Sequence, residues 1–111
     1  MHMKLLRNVF LGHAFLAFGA MSVHADEGRE LYLSYQCWQC HGYEGQGGAA
    51  ARIASKAYPF DAFARFVRHP DLMPTYPTGM LSEENLRLIY EYVRSIPEPP
   101  SLEDIPALQE K

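Results

Sequence analysis

Apolar positions recur with helical spacing in two places along this chain. The clearest is Ser82 to Ser95, where Leu86, Ile89, Tyr90 and Val93 fall at i, i+3, i+4 and i+7. That spacing gives one apolar face at 3.6 residues per turn. Ser82 is a fitting N-cap, Glu83 and Glu84 suit the positive end of the helix dipole, and Pro97 stops the helix. A shorter helix is expected over Phe60 to Arg68, with Phe63, Phe66 and Val67 on one side and His69-Pro70 as its end. A third is expected from Asp26 to about Gln36, "DEGRELYLSYQ", again with acids in the first turn. Gly42 to Ser55 and Asp71 to Gly79 are rich in glycine or proline and read as loops. The tail from Pro97 to Lys111 holds four prolines and reads as an extended strap. No internal repeat is visible, and no segment alternates long enough to argue for a sheet. The expected class is all-α with long loops.

The first residues follow a different logic. Lys4 and Arg7 precede an apolar run, "VFLGHAFLAFGAM", and "SVHA" then places Val23 and Ala25 before Asp26. A charged start, a short apolar stretch and small residues at a cleavage position make a secretory signal peptide. The run falls short of the roughly 20 apolar residues that span a bilayer. Residues 1–25 are therefore expected to be a signal peptide, and 26–111 the exported domain, with no stable membrane insertion after cleavage.

Cleavage changes the rest of the picture. Removing 25 of 111 residues leaves 86, and losing Lys4 and Arg7 takes the net charge from −3 to −5. A mildly acidic chain is a poor match for nucleic acid or an anionic membrane surface, which both call for excess Lys and Arg. A protein partner would dock through a basic face. A chain of 86 residues with six glycines and eight prolines is also marginal for a core of its own. Domains of this size usually enclose a metal, a disulfide or a bound group.

The chemistry concentrates in "YQCWQCHGYEGQGG", Tyr35 to Gly48, where the only two cysteines, Cys37 and Cys40, are followed at once by His41. Three readings compete. A thioredoxin-type disulfide places its Cys-x-x-Cys after a strand, whereas this pair follows a helix. A structural zinc ion needs four ligands, and His69 is the only remaining candidate beside Cys37, Cys40 and His41. The third reading is covalent attachment of haem c. Two thiols add across the two vinyl groups, and the adjacent histidine reaches the iron. This reading gives each residue type a separate task, and an export signal suits it. The porphyrin would also supply the missing apolar core.

On these residues the chain resembles the bacterial class I cytochromes c, over essentially the whole exported part. The resemblance rests on "GRELY" (Gly28 to Tyr32) before the haem motif, "GYEGQGG" after it, Met73-Pro74 in "LMPTYP", and "LSEENLRLIYEYV" (Leu81 to Val93) as the last helix. It implies a fold of three to four short helices and long loops around one haem. It implies a close crossing of the first and last helices, bringing Gly28 and Tyr32 against Tyr92. It implies His41 and Met73 as the two axial iron ligands. The family's Gly-Pro-x-Leu is absent here. "AARI", Ala50 to Ile53, stands in its place, so the carbonyl of Ala51 would orient His41 without a proline.

Met80 and His69 are the alternatives for the sixth position. Met73 is preferred because its proline-bounded loop can fold over a haem face, whereas Met80 adjoins the last helix and suits packing. His69 suits an exposed helix end. Met/His ligation closes the iron and raises its potential. The expected role is therefore a periplasmic electron carrier, not an enzyme, exchanging single electrons with a dehydrogenase donor and an oxidase or other cytochrome acceptor. A bound subunit of a periplasmic dehydrogenase is the alternative. A ligand sensor or peroxidase-like protein would need an open sixth position.

Overall fold

A computed structural model describes residues 17–55 and 58–109. Most of the expected signal segment, residues 1–16, lies outside the described residues. Four helices follow in chain order: α1 (Ala17–Ser34), α2 (Trp38–His41), α3 (Phe60–Arg68) and α4 (Glu83–Ser95). No strand occurs among the described residues, as the lack of alternation predicts.

Helix α4 forms for the reasons visible in its sequence. The Ser82 hydroxyl accepts the Asn85 N–H at 3.1 Å, closing the first turn. Leu86, Ile89, Tyr90 and Val93 are all at most 6% exposed, so the periodic face is the buried face. Tyr92 is buried too, because a second helix covers that side. This helix is α1. A Cβ on Gly28 would run into the carbonyl oxygen of Leu88 and lie 2.8 Å from Tyr92 Cβ, so only glycine lets the two backbones approach this closely. Beside that crossing the Tyr32 and Tyr92 rings pack at 5.5 Å, tilted by 57°.

Among the described residues α1 already includes Ala17, well before the expected Asp26. The stretch before Asp26 contains no proline or other stop signal, so the helix runs through it. Its C-terminus is a Schellman motif: Gln36 adopts φ 63°, its N–H bonds Leu33 O at 3.0 Å, and the Cys37 N–H bonds Tyr32 O at 3.2 Å. The chain is thereby turned into α2 at Cys37.

α3 packs on α4 through Phe60 and Phe63, each 5.3 Å from the Tyr90 ring. The loops are pinned by tyrosine hydroxyls that donate to loop carbonyls: Tyr32 to Gly42 (2.7 Å), Tyr76 to Tyr35 (2.9 Å), Tyr90 to Tyr58 (2.5 Å) and Tyr92 to Tyr43 (3.3 Å). Each ring fills core volume while its polar end satisfies a backbone group. The tail is not wholly extended. It forms two 3₁₀ turns, Leu102–Asp104 and Pro106–Leu108. Pro106 supplies the fixed φ that suits a first helical position.

Candidate functional site

The Cys-x-x-Cys-His stretch is wound into one helical turn. Cys37 occupies the N-cap of α2 and His41 its last position, with the His41 N–H bonded to Cys37 O at 3.1 Å. The i, i+4 spacing puts Cys37 and His41 on one face. Gly42 ends the turn at φ 83°, a conformation that favours glycine.

The glycine loop then folds back on the turn. Gly47 N–H bonds His41 O at 2.8 Å, Ala50 N–H bonds Cys40 O at 2.9 Å, and the N–H groups of Ile53 and Ala54 both reach Gly45 O at 2.9 Å. These bonds bring the carbonyl of Ala51 to 2.8 Å from Nδ1 of His41. A carbonyl only accepts, so Nδ1 carries the proton and Nε2 keeps its lone pair for a metal. The proline of the family pattern is not needed for this contact.

Cys37 and His41 face a cavity of about 280 Å³. Ile53, Phe63, Phe66, Val67, Ile89 and Val93 give it an apolar lining, and Met73 reaches it from the loop after α3. That loop is held by Tyr76 N–H to Val67 O (3.2 Å) and by the Arg68 guanidinium to Tyr76 O (2.5 Å). Met80 lies outside the lining and is 59% exposed; the neighbouring Leu81 is the residue that packs against the core. His69 is exposed at the end of α3, also away from the cavity. Cys40 is exposed and adjoins the cavity-facing His41 without lining the space. Trp38, between the cysteines, is half-buried and stacks on Tyr43 at 4.5 Å.

Burial pushes the Cys37 thiol up to about 11. A redox disulfide needs the opposite shift, toward a ready thiolate. Among the described residues no three His, Cys, Asp or Glu side chains are grouped to hold a metal ion, so the fourth ligand of a zinc site is not supplied. An apolar cavity with a thiol, a tautomer-fixed imidazole and a thioether at its wall fits a porphyrin carrying iron.

The family model for cytochrome c oxidase, cbb3-type, subunit III matches residues 23–93. The chain belongs to this family of c-type cytochromes. No curated protein and no solved structure matches it. The helices and loops described above are thus an all-α cytochrome c fold, and the domain serves haem-based electron transfer with a covalently bound haem c. No helix of the described residues is long and apolar enough to cross a membrane.

Two features of this cytochrome site escape a reading of the sequence alone. Arg52 lines the cavity, and Tyr32 does so while also anchoring Gly42. Arg52 lies in an aperiodic loop, where no pattern signals which way a side chain turns. Tyr32 carries a signal only through its place four residues after Gly28.

Proposed function

We propose that this cytochrome is a periplasmic carrier of single electrons with one haem c. Cys37 and Cys40 would hold the porphyrin through thioethers, and His41 and Met73 would bind its iron. The haem supplies the one-electron couple between ferric and ferrous iron. The observation that carries the reading is the convergence of Cys37, His41 and Met73 on one apolar cavity, with Met80 and His69 outside it.

The protein's own residues account for the rest. The Ala51 carbonyl orients the His41 ring and makes its Nε2 a better donor. The aromatic and aliphatic walls exclude water, which disfavours the extra positive charge of ferric iron. The thioether of Met73 would act in the same direction and would close the iron to exogenous ligands. Cleavage of residues 1–25 would release the domain into the periplasm. Its partners would be a dehydrogenase donor and an oxidase or cytochrome acceptor, met in short-lived encounters.

A second reading, a bound electron-transfer subunit, is favoured by the family's description as an oxidase subunit and by the tail beyond the matched residues. Haem staining after denaturing electrophoresis, with size measured in a native periplasmic extract, tests both. Staining that disappears in the Cys37→Ser/Cys40→Ser double variant, together with migration near the mass of one domain, is expected. No stain in the parent overturns the cytochrome reading. Co-migration with a much larger protein replaces the free carrier with the subunit.

A further inference from the structure

Among the described residues, Arg52 is the only side chain with a fixed charge on the cavity wall. It is largely withdrawn from water, with 27% of the side chain exposed. Its Nε donates to Ala54 O at 3.3 Å, and its Nη2 donates to Ser55 Oγ at 2.8 Å and to Pro97 O at 3.5 Å. The one carboxylate paired with it among the described residues is Glu98, whose Oε2 stands 3.7 Å from Nη2 and whose side chain is 71% exposed. An exposed carboxylate at that distance is screened by water and neutralises only part of a guanidinium's charge. A net positive charge therefore remains beside an apolar cavity, where the field of a charge is damped less than in bulk water. Pro97 and Glu98 both lie beyond residue 93, where the family match ends.

We propose that Arg52 sets the reduction potential of this site through its charge, and that Glu98, from the tail outside the family's segment, partly offsets that charge. The inference rests on the haem reading above. A positive charge at the wall favours the state of lower positive charge, ferrous iron, and so raises the potential. The opposing carboxylate lowers it. The tail thus reaches the redox site through one guanidinium.

A purely structural role for Arg52 gives a different sign. The residue also braces the loop that carries the Ala51 carbonyl. Loosening that loop would weaken the Ala51–His41 hydrogen bond, make the imidazole a poorer donor, and raise the potential.

The test is redox titration of the haem-loaded protein at low ionic strength for the parent, Arg52→Gln, Arg52→Lys and Glu98→Gln. Arg52→Gln should lower the potential, shifting the reduced-to-oxidised ratio at fixed ambient potential severalfold toward oxidised. Arg52→Lys should stay near the parent. Glu98→Gln should move the potential upward, and added salt should shrink that shift. A raised potential in Arg52→Gln, equal values for the Lys and Gln variants, or an unmoved Glu98→Gln would each overturn the proposal. A parent with no reversible one-electron couple would instead overturn the haem reading on which it stands.

Discussion

Tyr32, Tyr76, Tyr90 and Tyr92 each combine a buried or half-buried ring with a hydroxyl that donates to a backbone carbonyl, and this fixes how single residues respond to pH. Burial raises the phenols of Tyr32, Tyr76 and Tyr92 above their ordinary value near 10, most strongly for Tyr32. The folded protein keeps these protons where the unfolded chain would release them. Their contribution to stability is therefore complete below pH 10 and is lost as pH rises above it. Urea unfolding of the haem-loaded protein should show a steep fall in stability above pH 10, and Tyr32→Phe should flatten it. At pH 7 the same variant should lose about 1 kcal/mol, because the carbonyl of Gly42 loses one of its two donors and keeps only the Gly45 N–H. At this scale the sequence was most legible where chemistry constrains spacing: Cys37, Cys40 and His41 have one economical explanation. The positions of Met73 and Met80 relative to the cavity depend on how an irregular loop folds, and proline placement only suggests that. The inward turn of Arg52 has no sequence signature.

Among the elements, α3 and α4 were readable nearly to the residue, because long apolar periodicity and a Ser cap are local signals. α2 was not, since four residues are too few to show a period. The 3₁₀ turns of the tail were hidden by prolines that suit extended chain equally well. Two junctions carry predictions. Gln36 sits at φ 63° in the motif that turns α1 into α2, where glycine adopts the same backbone without a Cβ penalty. Gln36→Gly should stabilise the protein by about 0.5–1 kcal/mol, measured by chemical denaturation; a loss of stability would contradict the role given to this turn. At the α1–α4 crossing the requirement is reversed. Gly28→Ala should destabilise by about 1–3 kcal/mol, since its methyl meets backbone and the base of Tyr92 rather than a flexible side-chain end. An unchanged unfolding midpoint would show that the helices separate at little cost.

For the whole molecule, the small apolar core and the cavity belong to one argument. Tyr32, Leu81, Leu86, Ile89, Tyr92 and Val93 form the core cluster, while Phe63, Val67 and Tyr76 pack against it and also line the cavity. A haem seated there would extend that core. Without residues 1–25 the net charge is −5, so encounters with a basic redox protein should be steered by long-range attraction. Stopped-flow electron-transfer rates should fall as ionic strength rises toward physiological values, where the screening length is about 8 Å; a rate indifferent to salt would point to apolar docking instead. The central claim is that Met73, and not Met80, completes a closed His/Met iron site. It is tested most directly by the ferric absorption spectrum of the exported, haem-loaded protein beside Met73→Ala and Met80→Ala. The far-red band that reports iron–sulfur ligation should be present in the parent and in Met80→Ala and absent in Met73→Ala. A parent without the band, or its loss in Met80→Ala alone, would contradict the account.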